Sequence, residues 1–293
     1  MKRLSIFIVG IMVAVVAMSR TFDMKQLGAD AKGINSCTEL INRTIEKAAL
    51  EGGGTIYFPA GTYLTATIHM KSNITLYLES GAVLRFSDKF EDYLPFVTLR
   101  WEGTVMKSLS PLIYAHSADN VTISGRGTLD GNGLKWWLWE FDTRKVIKEN
   151  GGKLPALDKL QQMWVDANKD LEISDYYKPS LERRMFRPPF IQFYECTNIL
   201  IENVKIINSP FWTINPAFCD NVTIHGVTIN NPSSDPKGPN TDGINPSSCR
   251  NVRISDCLIS VGDDCITIKS GRDADGRKYG KACENITITN CIM

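Results

Sequence analysis

The chain of 293 residues is short of several things. It has only three histidines, His69, His116 and His225, and no Cys-x-x-Cys pair, so a zinc site is poorly supported. Its formal net charge is +1, from 33 basic and 32 acidic side chains. That balance lacks the basic footprint of a nucleic-acid binder, though it leaves room for a local basic patch that meets an acidic substrate. No apolar run reaches the roughly 20 residues that span a bilayer. The longest, Leu4 to Met18, follows Lys2 and Arg3 and precedes a small-x-small site at Ala17 and Ser19. Residues 1–19 therefore read as an export signal rather than an anchor, which predicts a secreted or periplasmic protein with no stable membrane insertion. Long helical patterns are also scarce. One is predicted over Ser36–Leu50, with Ser36 and Glu39 as a capping box and Gly52–Gly54 as its stop.

What the chain has instead is a repeat. Five segments start with Asn and then alternate apolar and polar residues: "NVTISGRGTL" at Asn120, "NILIENVKII" at Asn198, "NVTIHGVTIN" at Asn221, "NVRISDCLIS" at Asn251 and "NITITNCIM" at Asn285. "NITLYLESGAVL" at Asn73 is a looser sixth. Period-2 alternation with β-branched residues marks half-buried strands. A single unit cannot bury its apolar face, whereas stacked copies form a continuous core. The last three steps, of 23, 30 and 34 residues, suit coils of two or three short strands. The expected fold is all-β, a single right-handed parallel β-helix over residues 20–293, with the N-terminal helix capping its open end.

Six of the eight cysteines share this register. Cys196, Cys219, Cys249 and Cys283 each precede a repeat Asn by two residues, and Cys257 and Cys291 each follow one by six. This favours ladders of buried thiols over a scattered disulfide framework, with a bridge between neighbouring rungs left open. Asn73, Asn120, Asn221 and Asn285 fit the Asn-x-Ser/Thr pattern, but their place at the repeat starts favours an asparagine ladder inside the turns over glycosylation. Residues 134–186 interrupt the repeat. The insert opens with "LKWWLWEF" and includes the helical stretch "LPALDKLQQMWVDANKD". Trp136, Trp137 and Trp139 read first as its own apolar cluster, and alternatively as the wall of a sugar cleft.

The stretch "NTDGINPSSCRNVRISDCLISVGDDCI" gathers Asp242, Asp263 and Asp264. One coil later in sequence is one rung along the axis, about 4.8 Å away. Asp242 and Asp263, 21 residues apart, are thus expected on one face of neighbouring rungs. Consecutive strand residues point to opposite faces, so Asp263 and Asp264 share a cleft only where the backbone bends, as Gly262 and the polar turn before it allow. Clustered carboxylates raise one another's pKa, and a protonated and an ionised carboxyl across a glycosidic bond form an acid and base pair. Calcium ligation competes with this reading, as do solvated turn aspartates.

"NTDG" at 240–243 and "GDDCI" at 262–266 resemble, in sequence and spacing, the first two signature motifs of glycoside hydrolase family 28, the polygalacturonases. "SPFWTINP" at 209–216 and "IKSGRDADGR" at 268–277 resemble its exo-acting and plant-type branches, and the likeness runs from about residue 22 to the end. The resemblance implies a pectin-lyase-like solenoid that hydrolyses α-1,4-galacturonosyl links of pectin with inversion. It implies no metal or cofactor, and pectic polysaccharide as the partner of a monomer. It makes Asp263 the general acid, has Asp242 and Asp264 orient and deprotonate the water, and has Asn240 help hold the site. Lys269 and Arg272 meet a substrate carboxylate on this reading, or belong to an ordinary charged loop. The family's later Gly-His-Gly and Arg-x-Lys motifs do not occur. The chain stops at "ITITNCIM", inside a repeat strand, and reads as C-terminally truncated with coils missing. The insert is placed to close one end of the cleft and favour exo action. Rival readings are a rhamnogalacturonan or other uronate-glycan hydrolase, a calcium-dependent lyase and a non-catalytic glycan-binding β-helix.

Overall fold

The alternating segments fold as strands that stack in parallel. A computed structural model describes residues 20–152, 159–170 and 187–293. Residues 1–19, where an export signal is expected, and part of the insert lie outside the described residues. Among those residues, one sheet stacks eight strands: Arg20–Asp23, Gly54–Phe58, Ile74–Leu78, Asp119–Gly125, Thr197–Glu202, Asp220–His225, Arg250–Ser255 and Glu284–Thr289. A second sheet of seven runs from Lys32–Ser36 to Leu258–Ser260. The third begins with Ile68–His69, Ile113–His116 and Ile191–Tyr194, and single bridges extend it through Ile214, Ile244 and Ile266. Each coil visits the three faces in turn. The result is a parallel β-helix.

Register explains the repeat. Val121, Ile199, Val222 and Val252 stand opposite one another on successive coils, as do Ile123, Ile201, Ile224 and Ile254. All are buried. Each fully buried aliphatic side chain contributes about 1.5–3 kcal/mol, so the column carries the core. The repeat asparagines turn the corner into this sheet. Asn73, Asn120, Asn198, Asn221, Asn251 and Asn285 all have φ between 55° and 62°, a left-handed conformation that Asn tolerates. Their amides bond along the axis, Asn120 to Asn73 at 2.9 Å, Asn221 to Asn198 at 2.6 Å and Asn285 to Asn251 at 3.0 Å. All eight cysteines are free thiols. The backbone N–H groups of Cys219 and Cys249 donate to the sulfurs of Cys249 and Cys283 on the next coil, at 3.4 and 3.3 Å. The thiol ladder is thus built from sulfur as acceptor, without disulfides.

Helix α1 spans Thr38–Leu50 and lays Ile41, Ile45 and Ala48 over the first coils. The expected capping box does not form. Ser36 ends a strand, and Cys37 takes the cap position with no side-chain cap bond. The Thr38 hydroxyl instead accepts from the Ala66 N–H at 2.7 Å, which ties the helix to the coil below it.

The insert contributes α2, Leu134–Glu149, and α3, Lys159–Ala167. Trp136 and Trp137 are buried against the coil stack, Trp136 packing on Phe90 and Tyr93 and Trp137 donating its indole N–H to Ser209 O at 2.9 Å. They anchor the insert. A hairpin of Val97–Trp101 and Thr104–Ser108 is antiparallel, and its tip, Glu102 and Gly103, reaches the third face.

Candidate active site

The third face carries the aspartates because its strands are brief. Ile244 bridges Ile266, and the Gly243 N–H donates to Asp264 O at 2.9 Å. The local coil therefore advances by 22 residues, which sets Asp242 beside Asp264 rather than beside Asp263. Asp263, one residue earlier, enters the same cleft through a bend at Gly262. A Cβ at Gly262 would lie 2.3 Å from Gly238 O and 3.0 Å from Pro232 O, so only glycine fits. The Asp264 N–H donates to Asp263 Oδ1 at 3.1 Å and braces the bend.

The three carboxylates differ in environment. Asp263 and Asp264 are exposed, whereas Asp242 is 4% exposed. Its Oδ2 accepts from Asn245 Nδ2 at 2.9 Å and from the Thr267 hydroxyl at 3.5 Å, and Lys269 Nζ stands 3.7 Å away. Burial raises the Asp242 pKa above the ordinary aspartate value. The Asn245 bond and Lys269 oppose the rise, and the Asp263 charge adds to it. Lys269 also lies 4.5 Å over the Trp212 ring.

Asn240, Asp242, Asp263, Asp264, Lys269 and Arg272 all line one cleft of about 500 Å³. The structure adds Glu102 and Trp212 to them. Arg272 Nη1 is 3.4 Å from Glu102 Oε2, and the Arg272 N–H donates to Gly103 O at 3.1 Å. Burial raises the Glu102 pKa, with Arg272 the main opposing charge. Nothing in the sequence marks Glu102, which arrives from a hairpin 170 residues before Arg272. Trp212 falls within the "SPFWTINP" motif, and the N–H of its neighbour Thr213 donates to Asp242 O at 2.8 Å, so Trp212, and not Trp136, Trp137 or Trp139 of the insert, is the aromatic beside the Asp242 rung. None of those three lines the cleft. The histidines stand apart from it as well, His116 beside Glu195, His225 beside Asp256 and His69 against Tyr114.

The arrangement pairs acidic oxygens with cations and an aromatic face. Such a cleft can exchange protons at an ether oxygen and hold an anionic ring substituent. Among the described residues, no three His, Cys, Asp or Glu are grouped to hold a metal ion. Beside Asp242 the positive charge is the Lys269 ammonium.

Residues 178–293 match the glycosyl hydrolases family 28, and residues 21–136 match the rhamnogalacturonase A/epimerase, pectate lyase-like family. Residues 178–293 form a family 28 domain. The chain is 32% identical over 249 residues to a probable polygalacturonase of Vitis vinifera, covering 83% of this chain and 42% of that protein. It is 27% identical to an endo-polygalacturonase of Pectobacterium carotovorum, covering 83% and 56%. The chain thus spans about half the length of these relatives. A solved exopolygalacturonase of Thermotoga maritima superposes with a TM-score of 0.77 at 37% identity, over 93% of this chain and 59% of that one. A glycosyl hydrolase structure from Parabacteroides merdae, at 23% identity and a TM-score of 0.63 over 93% and 95%, shares the fold. The family 28 domain is part of a right-handed parallel β-helix, as in these structures.

Proposed function

We propose that this protein hydrolyses α-1,4-galacturonosyl linkages of pectic polymers with inversion of configuration. The observation that carries the reading is the convergence of Asp242, Asp263 and Asp264 with Lys269 and Arg272 in one cleft of a family 28 domain. Asp263, exposed at the bend, protonates the leaving glycosidic oxygen. Asp242 and Asp264, side by side on adjacent rungs, orient and deprotonate the attacking water. Lys269 and Arg272 receive the uronate carboxylate, the lysine as a point charge and the arginine as a fork, while the Trp212 ring seats the Lys269 ammonium from below. Lys269 beside Asp242 also supports a metal-independent route, since a cation already faces the buried carboxylate. The α2 side chain of Arg144 reaches Asn240 at 3.3 Å, so the insert flanks the cleft on that side, which supports attack from a chain end.

Reducing-end release from polygalacturonic acid in chelator tests the proposal. The parent is expected to release galacturonate, and Asp263→Asn to lose about 10²-fold or more, as removal of a general acid does. Full activity in Asp263→Asn would sink the assignment. Activity on rhamnogalacturonan alone would transfer the reaction to another uronate polymer. Single residues as the main product would mark chain-end attack.

A further inference from the structure

Beside the cleft lies a buried ion pair that the proposed reaction does not use. Arg187, the first residue after the insert, and Glu140, on α2, both have side chains with no exposure. Arg187 Nε stands 3.9 Å from Glu140 Oε2. A charge buried this deeply is costly unless compensated, so the pair calls for a use. The guanidinium fork supplies one. Nη1 donates to Pro239 O and, at 3.2 Å, to Pro210 O, while Nη2 donates to Asn240 Oδ1 at 2.8 Å. Pro210 sits just before Phe211 and Trp212, and Pro239 just before Asn240. One side chain therefore ties the Trp212 rung to the Asn240–Asp242 rung, with Phe211 5.0 Å beneath its plane.

The fork also decides which way Asn240 turns. Its Oδ1 accepts from Arg187 and, at 3.3 Å, from Arg144, which in turn donates to Glu140. With guanidinium donors on the oxygen, the amide nitrogen must face away from them. It faces Asp263, donating to Oδ2 at 3.4 Å. We propose that Arg187, held by Glu140 of the insert, is a positioning residue that orients the Asn240 carboxamide and through it the Asp263 carboxyl. Arginine suits this task because it spans three acceptors in one plane, which the single ammonium of lysine cannot do. Burial lowers the Arg187 pKa to about 10 and Glu140 opposes that fall, so the fork stays cationic at neutral pH. This inference rests on the reading of Asp263 as the acid that protonates the leaving oxygen.

The test compares Arg187→Lys, Glu140→Gln and Arg144→Gln with the parent chain, on polygalacturonate and on an aryl galacturonide whose leaving group needs no protonation. Arg144 is half exposed, so its variant folds even where loss of the buried Arg187 prevents folding. For Arg187→Lys, kcat on the polymer is expected to fall about tenfold or more, with KM within about threefold and the aryl substrate affected far less. Arg144→Gln is expected to show the same pattern at a few-fold loss. Equal losses on both substrates, or no loss in any variant, would overturn the positioning role. Crystal structures of the variants keep the two readings apart. If Asn240 still faces Asp263 in Arg187→Lys, the inference falls whatever the activity. If the parent cuts no uronate polymer yet Asn240 turns away in the variant, the proposed function falls and the positioning stands.

Discussion

Lys269 Nζ stands 3.7 Å from Asp242 Oδ2 and 4.5 Å above the Trp212 ring, so one ammonium joins a buried carboxylate to an aromatic face. Ion pairing and cation–π attraction act on the same charge from two sides. Replacing it with methionine keeps the stem and removes the charge. Lys269→Met is expected to raise KM for polygalacturonate by about 10- to 100-fold, the scale of a lost charge-assisted contact. It also removes a charge that holds the Asp242 pKa down, so any activity limb set by Asp242 moves to higher pH. An unchanged KM would show that the substrate carboxylate binds elsewhere.

Asp242 makes stability depend on pH. Its folded pKa is raised, so the native state binds the proton more tightly than the unfolded chain does. The parent therefore has its full contribution from this group below the unfolded value of 3.8 and loses it as pH rises through the raised folded value. Asp242→Asn lacks that loss and still offers an oxygen to Asn245. The melting temperature of the variant relative to the parent is expected to be highest near neutral pH and to decline on acidification. A difference that grows toward acid would reverse the sign and refute the raised pKa.

Gly262 shapes the bend that admits both Asp263 and Asp264. Alanine there places a methyl group 2.3 Å from Gly238 O, and backbone has to move. Gly262→Ala is expected to cost about 1–3 kcal/mol in denaturant unfolding and to lower kcat more than it lowers stability would explain, because the bend also aims Asp263. Wild-type unfolding and wild-type turnover together would show that the cleft tolerates a different bend.

Much of this architecture was legible in the repeat. The Asn starts predict the strand repeat and an asparagine ladder in the turns, and the structure adds that these corners are left-handed, because a residue type recurring at one coil position reports one recurring backbone demand. The thiol positions follow the same logic. The coil spacing placed the aspartates together, but the rung partner of Asp242 is Asp264, a one-residue difference that only the bridged register at Ile244 and Ile266 decides. Ser36 looked like a cap and is a strand end, because pairing with the next coil took precedence over a local side-chain bond. Trp136 and Trp137 are core anchors, and the aromatic at the cleft is Trp212.

The sequence alone determined the stacked parallel coils, the aspartate cluster and its likeness to family 28, since each is written in short-range spacing and alternation. The tertiary structure alone decided that Glu102 meets Arg272 and that Glu140 of the insert backs Arg187 against Asn240. Those contacts join segments far apart in the chain, and no local preference for helix or strand records where a hairpin tip or an inserted helix comes to rest. Packing sets that, through the burial of Trp136 and Trp137 and the docking of the 268–272 loop on Gly103.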